Sequence, residues 1–152
     1  MIELASLTDI PAVAELGEPF FREASAPGKF DRQSFIAAWN GLIGSGVGSV
    51  HIVRKDDRVT AAFGGVCITD FNTGDPVAME MFWFADPADR SIENLRLLRR
   101  FEEWAAAAGA KRVCMVHLKS INAERLERYY EKRGYVPLET YYWKDLGGDV
   151  EN

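Results

Sequence analysis

The stretch from Val77 to Gly109 limits the fold more than any other part of the chain. Residues 77–85 are apolar on consecutive positions, which predicts a strand buried on both faces. A turn at Asp86–Ser91 follows. Ile92, Leu95, Leu98, Phe101, Trp104, Ala105 and Ala108 then recur three and four apart, the spacing of an amphipathic helix. Gly109 stands where a left-handed C-terminal cap is needed. A strand leading by a short turn into a helix presents unpaired amides at the helix start, a place where anions bind. One carboxylate, Glu80, lies inside the apolar strand, where an ionisable group is costly without a partner or a task.

The remaining elements follow in order. Ile2 and Leu4 suggest a short first strand, and Thr8 or Asp9 can cap a helix with Pro11 in its first turn. Val13, Leu16, Phe20 and Phe21 give that helix its stripe, with Gly17 and Pro19 expected to break or kink it. A second helix starts at Asp31 or Ser34 and ends at Gly44–Gly46. Gly48–Val53 and Val59–Thr69 read as a hairpin about the turn Lys55–Arg58, with Gly64 and Gly65 marking a bulge or a close backbone approach. After the 92–108 helix come an apolar strand reaching Leu118, a helix from Ser120 or Asn122 to Arg133 stopped by Gly134, and a strand-like segment Tyr135–Leu146. Hairpins followed by one strand–helix–strand crossover predict an α/β fold with a mixed sheet covered by helices. One domain is expected over residues 1–146, with a polar tail at 147–152.

Bulk properties exclude several classes. A net charge of −5 argues against broad nucleic-acid binding. No apolar run approaches ~20 residues and no basic-then-apolar leader opens the chain, so neither a membrane span nor a signal peptide is expected. Cys67 and Cys114 read as core thiols of a reducing, cytoplasmic compartment. With His51 and His117 they lack metal-ligand spacing, and no nucleophile elbow is present.

Tyr130-Glu-Lys-Arg-Gly-Tyr135, followed by Val136-Pro137 and Tyr141–Leu146, resembles the C-terminal signature of the GCN5-related N-acetyltransferase family, and the element order is similar over nearly the whole chain. The resemblance implies a central mixed sheet of six or seven strands with about four helices. It also implies a V-shaped splay between strands 77–86 and 111–118 that admits acetyl-CoA. Tyr130 falls on the tyrosine that commonly protonates the departing thiolate, and Glu80 near the carboxylate that often deprotonates the amine. The cofactor would meet Phe84 and Ala85 at the strand end. Its pyrophosphate would meet the amides of Arg90, Ser91, Ile92, Glu93, Asn94 and Leu95, and its pantetheine arm Asn122. Asn122 serves equally well as a plain helix N-cap.

The 90–95 loop departs from the family's glycine-containing pattern, and Glu93 stands at its first glycine position. Those glycines let amides approach phosphate closely. Two readings stay open: an N-acetyltransferase acting on a primary amine of a small molecule or protein, or a domain of this fold that has lost acetyl-CoA and serves as a binding or assembly protein. The aromatic segment Tyr141–Trp143 is expected to form an edge able to pair with a second copy as a homodimer.

Overall fold

The computed structural model describes residues 1–89, 91–120 and 122–147. Five strands form one sheet in sequence order: β1 (Ile2–Leu4), β2 (Gly48–Lys55), β3 (Arg58–Thr69), β4 (Pro76–Ala85) and β5 (Arg112–Cys114). The first three pairings are antiparallel and β4–β5 is parallel. The helices among the described residues are α1 (Ile10–Glu23), α2 (Arg32–Gly44), α3 (Ile92–Ala107) and α4 (Ala123–Lys132). The mixed sheet with four helices is the expected architecture, but the strand count falls short of six or seven.

The missing strand lies at the C-terminus, and β5 is shorter than expected. The strand expected to reach Leu118 ends at Cys114, and residues 136–147 form no strand. A ladder needs a neighbour on every rung, and β5 has lost its own neighbour by residue 115. Pro137, in turn, has no N–H to donate.

The sheet carries a core on each face. Alternation along β4 sends Phe82 and Phe84 toward α1 and α2, where they meet Trp39, Phe20 and Phe35. It sends Ala78 and Trp83 toward α3, where Phe63 lies 4.7 Å from Phe101. In the middle of β3, what faces Gly64 and Gly65 shows why two adjacent glycines stand there. A Cβ on Gly64 would lie 2.2 Å from the Phe82 ring, and one on Gly65 2.2 Å from the Phe101 ring. The pair therefore admits one aromatic ring on each face of the same strand.

The β2–β3 turn is two residues, Asp56 and Asp57, both at positive φ (46° and 59°), the conformation that matches the strand twist. α1 runs unbroken through Gly17 and Pro19, contrary to the expected break. Gly17 is a packing glycine: a Cβ there would lie 2.7 Å from Phe84. Asp31 caps α2 by accepting the Ser34 amide at 2.7 Å.

α3 and α4 stop in the same way. Gly109 (φ 83°) and Gly134 (φ 87°) adopt the left-handed region. The amides of Ala110 and Tyr135 return to the carbonyls of Ala105 and Tyr130, and those of Gly109 and Gly134 to Ala106 and Glu131. This is the double hydrogen bond of a Schellman cap. Its customary apolar contact is made in α4 by Tyr130 and Tyr135, rings 5.7 Å apart.

Candidate active site

β4 and β5 share three rungs, Val77–Arg112, Ala78–Val113 and Met79–Cys114, and then part. The next residue of β4 is Glu80. Its carboxylate is buried and accepts the Val116 amide at 3.2 Å, in place of a backbone acceptor. Tyr130, buried on α4, donates its hydroxyl to the Val116 carbonyl at 2.8 Å. Both polar groups of one residue at the splay are thus held by the two side chains singled out in the sequence. Burial pushes the Glu80 carboxyl up to about 7, against the weaker pull of the Val116 amide. Burial, and next the charge of Glu80, push the Tyr130 phenol well above its usual range, so it stays protonated.

A bulge sits beside this pair. β3 residues Gly64 and Gly65 face Phe82 and Glu80, which leaves Met81 as the extra residue of β4. Met81 is exposed next to the buried Glu80. The bulge resets the alternation, so Glu80 and Trp83 both lie on the α3 side. The α4 helix is positioned by Tyr129, which donates to the Leu95 carbonyl at 3.1 Å, and by Glu102, which accepts from Tyr135 at 2.8 Å and from Arg133.

The helix-start residues form a second part of the site. Arg90 lies outside the described residues. Ser91 is the N-cap of α3, with extended backbone (φ −119°, ψ 170°), and Ile92 and Glu93 carry the first helical amides, which have no intrahelical acceptor. The Oγ of Ser91 and the Oδ1 of Asn94 are buried without a hydrogen-bond partner among the described residues. Glu93 turns toward the Met1 ammonium, 3.6 Å away, on the β1 side of the helix. No residue from 91 to 95 has positive φ, so this backbone does not require glycine. The first amides of α3 are the kind of group that suits an anion, and the carboxylates nearby, Asp86, Asp89 and Glu93, face Arg58, Lys55 and the Met1 ammonium.

The other expected positions are more dispersed. Phe84 is a core ring on the α1–α2 face, stacked on Phe82 at 4.6 Å, so only its backbone can meet a ligand in the splay. Ala85 closes β4, and Leu95 offers its carbonyl to Tyr129. Asn122 occupies the N-cap position of α4 in a left-handed conformation (φ 46°), and its side chain makes no capping bond. Val116 had no signal in the sequence, because its contribution is a peptide group. Ser120, which donates to the Ala24 carbonyl at 2.7 Å and ties the 119–120 turn to the end of α1, was likewise silent.

A cavity of about 470 Å³ lies apart from the Glu80–Tyr130 pair, between α1, the β2–β3 turn and the end of β4. No group of metal-ligating side chains occurs among the described residues, and no helix among them is long and apolar enough to cross a membrane.

Comparison with solved structures decides the fold. A protein of Clostridium acetobutylicum described as a predicted acetyltransferase, and solved with acetyl-CoA, superposes with a TM-score of 0.74 at 16% identity, covering 97% of this chain and 95% of the other. An aminoglycoside 6'-N-acetyltransferase of Acinetobacter haemolyticus gives 0.70 at 16% identity, covering 98% and 99%. An aminoglycoside N-acetyltransferase in complex with CoA gives 0.76 at 14% identity, covering 96% and 93%. The fold is that of the GCN5-related N-acetyltransferases. No family model and no curated protein matches the sequence. The fold is thus shared at 14–16% identity, where most side chains differ.

Proposed function

We propose that the protein is an N-acetyltransferase that moves an acetyl group from acetyl-CoA to a primary amine, a small-molecule amine being the favoured acceptor. The observation that carries this is the Val116 peptide held between Glu80 and Tyr130 at the point where β4 and β5 part. Acetyl-CoA supplies an acyl group activated as a thioester. Glu80, poised near neutral pH, takes a proton from the acceptor's ammonium or from the attacking amine, directly or through water. The amine nitrogen bonds to the acyl carbon as the carbon–sulfur bond breaks. Tyr130 then passes its proton to the sulfur. The amides of Ile92 and Glu93 and the Ser91 hydroxyl hold the pyrophosphate.

Similar folds support the donor and acceptor classes: one neighbour was solved with acetyl-CoA, and another with a bisubstrate analogue joining CoA to an acetylated neamine, at a TM-score of 0.75 and 13% identity. Both cysteines are free, which suits a reducing, cytoplasmic setting. We further assign residues 1–146 to one domain, and a homodimer through the C-terminal segment.

The test is a thermal-shift titration with acetyl-CoA, followed by thiol release against a panel of primary amines. Stabilisation and amine-dependent release are expected. The glycine-free loop with Glu93 favours a second reading, a non-catalytic binding module. No shift at millimolar acetyl-CoA would establish that reading and discard the first.

A further inference from the structure

The cavity of about 470 Å³ beside α1 has the volume of a small-ligand site. Its wall at Ala85 stands five residues along β4 from Glu80, roughly 16 Å at the rise of a strand. An amine seated there is too far away to be the substrate of Glu80. α1 forms one wall with residues 12, 15, 16, 19, 20 and 23, a single face at helical spacing. Leu16, Pro19 and Phe20 make that wall apolar, and Val59, Ala85 and Pro87 line the cavity from the end of the sheet.

The polar groups around this apolar floor are unequal in charge. Five carboxylates line the cavity, those of Glu15, Glu23, Asp56, Asp57 and Asp86. Two guanidiniums also line it, and both are already held: Arg54 by Glu3 and Asp9, and Arg58 by Asp86 at 3.0 Å. Asp56 and Asp57 form no ion pair among the described residues, and Glu15 approaches Arg32 only at 3.9 Å. The surplus charge is therefore negative. α1 adds a backbone acceptor of its own. Pro19 stands inside the helix and has no N–H for the Glu15 carbonyl four residues back, and both residues line the cavity. Carboxylates in surplus and a carbonyl deprived of its helical donor suit a cation with several N–H groups. An ammonium has three and accepts nothing.

We propose that this cavity binds an organic amine in its ammonium form, with the cation taken by the carboxylates of the rim and an alkyl or aryl body lying on Leu16, Pro19 and Phe20. The site is separate from the acceptor position at Glu80. Asp86 also accepts the Ala88 amide at 2.9 Å, in the turn that leads into α3, so a cation that draws Asp86 from Arg58 acts on that turn. Any effect on acetyl-CoA through that turn rests on the acetyltransferase reading; the site itself does not.

An NMR titration of the isotope-labelled full chain with hexylamine tests it, against hexanol and hexanoate, which keep the body and change the charge. Hexylamine should saturate at millimolar concentration, with amide shifts centred on residues 12–23, 54–59 and 85–88, and should bind at least tenfold more tightly than either control. Asp56→Asn with Asp57→Asn removes both charges and keeps residues that tolerate positive φ, so the turn should hold while hexylamine binds about tenfold more weakly. Glu15→Gln should weaken it further. Hexanol or hexanoate binding as tightly as hexylamine overturns the proposal. So do shifts centred on residues 80 and 116 instead, the absence of a saturable shift at tens of millimolar, or an affinity indifferent to all three substitutions. Acetyl-CoA enters none of these titrations. A failure here therefore leaves the enzymatic reading standing, and a chain that takes hexylamine in this cavity but not acetyl-CoA defeats that reading alone.

Discussion

Glu80 is a carboxyl group placed where water should be absent and a backbone partner has been taken away. Its elevated pKa makes it a usable base near neutrality, and the expected signature is kinetic. The acidic limb of kcat/KM should rise with pH through about 7 and vanish in Glu80→Gln, with kcat lower by roughly 10²–10⁴-fold. Tyr130→Phe should keep acetyl-CoA affinity, measured by calorimetry, within a few-fold, while thiol release falls by a similar factor. The phenol is held protonated by burial, so the wild-type basic limb should not report its loss.

At the scale of elements, the glycines at 64, 65 and 134 do separate jobs. Gly65→Ala puts a methyl into the Phe101 ring with the Met79 carbonyl behind it at 2.8 Å, and should cost roughly 1–3 kcal/mol in urea unfolding. Gly134→Ala meets no neighbour but is forced to positive φ, so its cost should be about 1–2 kcal/mol. The signature Tyr130–Tyr135 is readable for this reason: it is a cap, with its glycine and its apolar contact at fixed places, and caps are written in local sequence. The bulge was legible as a glycine pair, and Glu80 as a charge in an apolar run. The ends of β5 and the fate of 136–147 were not. Strand length depends on what lies alongside, and no residue in Met115–Leu118 marks the point where its neighbour departs. α1 misled for the opposite reason, since tertiary packing of Gly17 on Phe84 overrode a local breaker signal.

Over the whole molecule, two buried groups oppose each other in their effect on stability. Glu80 keeps its proton longer in the folded state than in the unfolded one, so its contribution is fully present below about 4.5 and falls as pH rises through 7. His51, buried and repelled by Arg100, is lowered to about 4, so its contribution is present above 6.5 and falls as pH drops through 4. Each is worth roughly 3 kcal/mol, and between about 4.5 and 6.5 they should nearly cancel. Glu80→Gln should uncover a stability that climbs with pH across that window, and His51→Gln one that declines; urea midpoints at several pH values measure both. The lowered carboxyls of Asp9, Asp70, Asp75 and Asp89 act only at the acid end, where their cationic and amide partners lose hold.

Glu80 and Tyr130, the proposed base and acid, are both fastened to the main chain of Val116, whose own side chain is half exposed. Any codon there except one for proline encodes the same N–H and the same C=O. Drift at this position can therefore change the exposed surface there while the anchorage of Glu80 and Tyr130 is inherited unchanged. On the proposed mechanism, a lineage built this way can explore acceptors without first losing its machinery.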